Sequence, residues 1–166
     1  PTGLVTSLAW IDGALWIGSV EGASVLENGR VRHLPLPVAD GARTVFAFRR
    51  IGDAVWLATD RGLYRERNGT LARVGLEQGL PVDTVFQIVP DRIGNAWITS
   101  NRGMLRARME DLDAVACAAA CEHRGYAEAF FIGHEHNRAT FHRLHGIDRH
   151  GQRVVLACRH HDTGHR

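Results

Sequence analysis

Apolar residues in the first two thirds of the chain come in short runs, separated by turn-forming dipeptides. Asp12-Gly13 and Asn28-Gly29 are hairpin signals, because their residues favour the positive φ angles of tight turns. A break at Glu21-Gly22 lies between them. Four short runs joined by such turns predict one four-stranded antiparallel sheet, and here they fall at 5–10, 14–19, 23–27 and 30–34.

The same pattern occurs three times. Each copy is centred on a tryptophan, at Trp16, Trp56 and Trp97, with spacings of 40 and 41 residues. A glycine follows each tryptophan six positions later, at Gly22, Gly62 and Gly103. Self-similarity with a period of about 40 residues indicates a repeat architecture.

The repeats divide the chain into predicted units at 4–42, 43–82 and 83–113, followed by a tail at 114–166. Asn68-Gly69 repeats the Asn28-Gly29 signal 40 residues later. The third unit is incomplete, because no Asn-Gly pair occurs where a third is due, at 109–112. The first strand of each unit is expected to be innermost, at 5–10, 45–49 and 85–89.

Repeated four-stranded sheets of this length predict an all-β fold made of three β-propeller blades. Each tryptophan lies on a second strand, where it can fill the gap between neighbouring blades. Closed propellers take about four to eight blades. We therefore expect either a fragment of a larger propeller, or association with the remaining blades or with a second copy of the chain.

The tail differs in composition, since it holds all three cysteines and all but one of the ten histidines. Residues 114–121 are alanine-rich and predict a helical turn or two, and 126–132 and 153–158 are apolar enough to be strands. Otherwise the tail is predicted to be irregular. Two interpretations stay open: a divergent terminal segment, or an end read out of frame.

Some tail residues are of metal-ligating type. Their spacing fits no common zinc site, so no metal and no cofactor is predicted, and a metal-binding accessory protein is only an alternative. The weak candidate ligands are Cys117, Cys121, His123, His134 and His136.

Composition narrows the possible partners. The chain is 45% hydrophobic and 23% charged, with a formal net charge of +2, and Arg and acidic residues are equally frequent before residue 114. Nucleic-acid binding needs clustered positive charge, so it is not expected. A membrane helix needs roughly 18 consecutive apolar residues, and the sequence has no such run.

The repeat resembles the two-component regulator propeller repeat, with Leu15-Trp16-Ile17-Gly18-Ser19 and Gly22 as the best copy. Gly79-Leu80-Pro81 is similar to the bridge between blades in that family. The resemblance covers residues 4–108. It implies a non-catalytic, ligand-sensing part of a bacterial signal-transduction receptor, located in the periplasm as part of a longer membrane protein, with a small molecule or a glycan as ligand.

Ligands of rigid repeat scaffolds are usually bound by loops. The candidate ligand-binding residues lie at the repeat breaks and at the mouths of the inner strands: Arg43, Asp60, Arg61, Asp83, Asn101 and Arg102. The alternative for these residues is a set of solvated loop charges. No catalytic residue is predicted, since no nucleophile elbow, phosphate loop or suitably paired carboxylates occur. A propeller lyase or hydrolase remains the enzyme alternative.

Overall fold

A computed structural model describes residues 3–37 and 41–122, and beyond them only four short strands. The first sheet is antiparallel, in the order β1-β2-β3-β4, and is made of Val5–Ile11, Ala14–Ser19, Gly22–Glu27 and Arg30–Leu34. The second sheet repeats it in the order β5-β6-β7-β8, with Val45–Ile51, Ala54–Thr59, Gly62–Arg67 and Thr70–Val74. A short 3-10 helix, Leu76–Gln78, follows sheet two.

The predicted turns form as expected. Asp12, Asn28 and Asn68 have φ angles of 50°, 49° and 52°, and each is followed by a glycine that also has positive φ. Two consecutive residues with positive φ give the turn that matches the right-handed twist of hairpin strands. The inner strands β1 and β5 begin at the predicted residues, so the local signals locate both sheets correctly.

Sheet three departs from the prediction of four strands per blade. It has three, in the order β11-β10-β9, made of Val85–Pro90 (β9), Asn95–Ser100 (β10) and Gly103–Arg108 (β11). Helix α1, Met109–Glu122, follows β11 directly, where a fourth strand was due. No Asn-Gly turn occurs there, whereas Glu110 and Asp111 supply acidic groups to the first turn of an alanine-rich helix.

Helix α1 is longer than the predicted turn or two at 114–121, and it packs against β8 of sheet two as well as against β11. Further on, β12 (Ile132–Glu135) pairs with β13 (Arg138–Phe141), and β14 (Gly146–Ile147) pairs with β15 (Arg153–Val154). Strand β13 lies beside β11. The predicted strands at 126–132 and 153–158 coincide with these only in part, and 126–131 and 155–158 lie outside the described residues.

The sheets stack face to face, with the inner strands β1, β5 and β9 side by side. Between sheets one and two the core contains Trp16, Val25, Phe48 and Leu57. The rings of Trp16 and Phe48 have centroids 5.6 Å apart at an angle of 58°. The face of sheet one that carries Trp16 therefore packs on the face of sheet two that does not carry Trp56.

The same contact recurs between sheets two and three, where Trp56, Leu63, Ile88 and Ile98 share a core that also includes residues of α1. Sheet two is covered on both faces, and all six residues of β6 are buried. This arrangement of successive antiparallel sheets is that of β-propeller blades, so the predicted fold class is confirmed.

Two sheet faces remain uncovered within the described residues. The open face of sheet one, defined here as the face turned away from sheet two, exposes Leu8, Trp10 and Val31 by 63%, 72% and 51%. The open face of sheet three is the one turned away from sheet two and carries Trp97 and Met104, exposed by 37% and 64%. Trp97 thus occupies the same repeat position as Trp16 and Trp56 but has no following sheet against it in the described part of the chain.

Candidate ligand-binding surface

The turn between the second and third strands has the same hydrogen bonds in all three sheets. In sheet two the hydroxyl of Thr59 donates to the carbonyl of Gly62 at 2.9 Å and accepts from the N–H of Arg61 at 3.0 Å. Ser19 and Ser100 form the same pair of contacts in sheets one and three. The conserved geometry of this turn within the chain holds the residue before each repeat glycine at a fixed, outward position.

A second repeated contact ties each of these turns to the segment that enters the inner strand. The N–H groups of Val20, Asp60 and Asn101 donate to the carbonyls of the residues directly before β1, β5 and β9, at Leu4, Thr44 and Thr84. The predicted site residues therefore lie at one edge of the stacked sheets. The set consists of three turns and the mouths of the inner strands next to them.

Two of the predicted residues have a structural role in this edge. The carboxylate of Asp60 accepts hydrogen bonds from the backbone N–H groups of Arg43 and Thr44, at 3.0 Å and 3.2 Å. It thereby satisfies donors at the entrance of β5 and fixes that entrance to the turn of sheet two. Arg43 is exposed, so its side chain lies next to this anchored backbone.

Arg61 and Asp83 form the charged pair of the surface. Arg61 Nη1 lies 3.5 Å from Asp83 Oδ2, and the two side chains are 48% and 35% exposed. The N–H of Gly62 also donates to the Asp83 carbonyl, and Arg73 Nε donates to the Arg61 carbonyl at 2.9 Å. The backbone beneath the pair is therefore fixed, while a guanidinium and a carboxylate remain accessible to a ligand.

Asn101 and Arg102 occupy the corresponding turn of sheet three and are both exposed. Their backbone N–H groups make the two repeated contacts described above, to Thr84 and to Ser100. Among the described residues, no hydrogen bond or ion pair joins either side chain to the Arg61–Asp83 pair. The structure thus brings Arg43, Asp60, Arg61 and Asp83 together and leaves Asn101 and Arg102 on a neighbouring turn.

An aromatic pair at the starts of β5 and β9 was not predicted. The rings of Phe46 and Phe86 meet edge to face with centroids 5.2 Å apart, and Phe86 is 41% exposed. Each lies in an interruption of the register of its inner strand, at the second residue of β5 and of β9. Such a bulge re-aims the side chain of the extra residue. The sequence signal for each bulge is a break in the alternation of apolar and polar residues. An apolar residue directly follows Val45, and another follows Val85 40 residues later.

Asp83 precedes Phe86 by three residues, and Arg43 precedes Phe46 by three, so a charged residue lies two positions before β5 and before β9, and an aromatic ring lies at the second residue of each strand. An exposed aromatic edge offers apolar contact, and the Arg61–Asp83 pair offers a hydrogen-bond donor and an acceptor. This combination of an apolar wall and a few oriented polar groups is typical of small-molecule sites.

The structure does not describe the five candidate metal ligands of the tail as one site. Cys117 is in a disulfide bond, and a sulfur in a disulfide is not a thiolate ligand. His123 and His136 lie outside the described residues, and only the backbone is described at Cys121 and His134. In the part of the chain where side chains are described, no group of three or more His, Cys, Asp or Glu residues is placed to hold a metal ion.

One of three comparisons with known proteins supports the fold, that with a TM-score above 0.5. The extracellular domain assigned to a hybrid two component system of B. thetaiotaomicron has a TM-score of 0.51 at 18% identity, over 87% of this chain and 18% of that one. The WD40 β-propeller domain of Doa1 has a TM-score of 0.47 at 19% identity, over 64% of this chain and 36% of that one. The Pan2 WD40 domain of Neurospora crassa has a TM-score of 0.46 at 15% identity, over 65% of this chain and 36% of that one.

The chain therefore spans about a third or less of the length of these solved propellers. No family model and no curated protein matches it. Among the described helices, none has the length and apolar character needed to cross a membrane.

Proposed function

We propose that this chain is part of a ligand-sensing propeller of a bacterial signal-transduction receptor, located outside the cytoplasm, and that it binds its ligand without catalysis. The observation that carries the proposal is the surface at the mouths of β5 and β9. There the Phe46–Phe86 ring pair, with Phe86 41% exposed, lies at the second residues of β5 and β9, and the accessible Arg61–Asp83 pair lies at the entrance of β9.

The resemblance of the repeat to the two-component regulator propeller, and the structural likeness to an extracellular domain of a hybrid two component system, support the signalling context. In such a receptor the ligand would change how the blades pack, and a connected membrane segment would transmit the change. The ligand class that suits this surface is a glycan or another polar small molecule, because sugar hydroxyls match the polar pair and sugar C–H groups match an aromatic ring.

The test is a thermal-shift screen of the purified chain against a panel of neutral and acidic oligosaccharides, with each hit measured by calorimetry. A ligand of this surface should bind at least tenfold more weakly to Phe86→Ala and to Asp83→Asn. Ile93→Ala is the matched control, because Ile93 is 82% exposed in the hairpin loop at the far end of β9.

Binding that survives both site substitutions would contradict the proposed surface, and so would a panel without any hit. Conversion of a bound oligosaccharide into a product during the measurement would favour the lyase or hydrolase alternative.

A further inference from the structure

The two uncovered sheet faces match the two kinds of face that pack on each other inside the chain. Within the chain, the tryptophan face of a sheet packs on the opposite face of the next sheet, and it does so twice, around Trp16 and around Trp56. The open face of sheet three is the face that carries its second-strand tryptophan, Trp97. The open face of sheet one is the face opposite to its second-strand tryptophan, Trp16. Each open face therefore matches the other's partner in the positions of its large apolar residues, and the open face of sheet three also carries Arg106 and Arg108, which pair in register with Trp97 and Asn95.

Residues at the same repeat positions in other sheets show how the exposed residues of the two open faces would be buried by a neighbouring sheet. Leu8 corresponds to Phe48, which is 9% exposed against Trp16, and to Ile88, which is 1% exposed in the core with Trp56. Both equivalents are buried by a preceding sheet, whereas Leu8 itself is 63% exposed. Met104 corresponds to Leu63, which is fully buried against sheet three.

The open face of sheet one is also strongly apolar. Its side chains follow from the strand pairing, which alternates them with the residues that face sheet two. None of them is Asp, Glu or Arg, and the polar members, Ser24 and His33, bond each other at 2.9 Å. The set comprises Leu8, Trp10, Leu15, Ile17, Ser24, Leu26, Val31 and His33. An apolar area of this kind on a folded chain usually marks an interface.

We infer that this chain binds a second copy of itself head to tail, with the open face of sheet three of each copy on the open face of sheet one of the other. Two copies bring six sheets together, which lies within the four to eight blades of closed propellers, whereas three copies would bring nine. The two contacts are then equivalent and close a ring, as a heterologous interface does when its rotation permits.

The inference is tested with charged substitutions at one exposed residue of each face. Leu8→Glu and Met104→Glu change side chains that are 63% and 64% exposed, so each chain should fold, as checked by circular dichroism. The unmodified chain should have twice the monomer mass of 18.4 kDa in light scattering. Each variant alone should be monomeric, because every contact it can form contains one charged face. Ile93→Glu, which is 82% exposed in a hairpin loop off both faces, should stay dimeric.

Mixing the two variants gives the decisive result. Leu8→Glu retains the face of sheet three and Met104→Glu retains the face of sheet one, so an equimolar mixture should form a dimer through one intact contact. A monomeric unmodified chain would overturn the inference, and would indicate that the tail or further blades cover these faces. The inference would also be overturned if Leu8→Glu were monomeric while Met104→Glu stayed dimeric, with no recovery of Leu8→Glu into a dimer on mixing. That result would indicate a contact between two identical faces.

Discussion

Arg65 on β7 donates from Nη1 to the carboxylate of Asp113 on α1 at 2.8 Å, and to the carbonyl of the same residue at 2.9 Å. The Arg65 side chain is 5% exposed, and its Nε has no hydrogen-bond partner among the described residues. Arg67 also reaches Asp113, at 3.0 Å, and contacts Asp53 at 2.7 Å. One carboxylate on α1 thus bridges two guanidinium groups of sheet two, and Asp53 gives Arg67 a second carboxylate.

Asp113→Asn should lower the free energy of unfolding by about 2–3 kcal/mol, because removal of one partner leaves a buried guanidinium uncompensated. The loss is smaller than for a fully buried pair, because solvent screens the partly exposed Asp113. Asp12→Asn is the matched control. It removes an exposed ion pair with Arg50 at 3.2 Å and keeps a residue that tolerates the positive φ of the turn, so it should cost less than about 1 kcal/mol. Urea denaturation measures both changes, and equal losses would contradict the role given to Asp113.

The repeat glycines Gly62 and Gly103 allow a second comparison. Both have positive φ, 99° and 112°, so alanine is strained at either position. A Cβ at Gly62 would also meet the Val74 carbonyl oxygen at 2.5 Å, whereas one at Gly103 would meet nothing within 4 Å. Gly103→Ala should therefore cost about 1–2 kcal/mol, and Gly62→Ala distinctly more, because backbone atoms must move. Thermal unfolding of the two variants decides the order.

The repeat tryptophans should differ in the same way. Trp56→Ala removes a side chain that is 1% exposed between sheets two and three and should cost about 3–5 kcal/mol. Trp97→Ala removes a side chain that is 37% exposed and should cost about 1–2 kcal/mol. Both are measured in the Leu8→Glu chain, so that self-association does not contribute. Similar losses in the two variants would show that Trp97 is buried in the monomer.

The hairpin of sheet three contains a carboxylate with an altered pKa. The side-chain amide of Asn95 donates to Asp91 at 2.9 Å, its backbone N–H donates at 2.8 Å, and these contacts hold the pKa of Asp91 below its ordinary value of 3.8. The N–H of Ile93 and Nε1 of Trp97 add to the effect.

Because the folded pKa lies below the unfolded one, this contribution to stability is complete above about pH 4 and is lost as pH falls through the folded pKa. A titration followed by carboxyl carbon NMR should place the pKa of Asp91 below 3.8. Asn95→Ala should raise it toward the ordinary value, since it removes the largest cause. An unchanged pKa in Asn95→Ala would exclude the side-chain amide as that cause.

Sheets one and two could be predicted from the sequence because their signals are local. A turn such as Asn68-Gly69 requires positive φ in adjacent residues, which few dipeptides tolerate, and alternation assigns the strands around it. The third sheet was predicted only in part. The absent turn signal indicates that the repeat ends, but it does not indicate that α1 takes the place of a strand and packs on β8.

The positions of the candidate residues on the turns could be predicted, and their ligand-binding role stays a prediction. The turn residues Arg61 and Asn101 follow from the repeat, since every copy has the same break. The Phe46–Phe86 contact depends on two bulges that shift register between strands, and single-residue shifts have no strong local signature. The contact of Arg65 with Asp113 joins residues 48 positions apart, so it follows from tertiary packing and not from any local pattern.

The double coverage of sheet two has a consequence for how the chain opens. Its amide protons, above all those of β6, can reach solvent only when a neighbouring sheet separates, so they should exchange with deuterium most slowly. In the monomeric Leu8→Glu chain, sheets one and three each keep one face that no described residue covers, and each can detach singly, in the way that terminal units of a linear repeat fray. Exchange rates along the chain should therefore fall from either end toward the middle sheet.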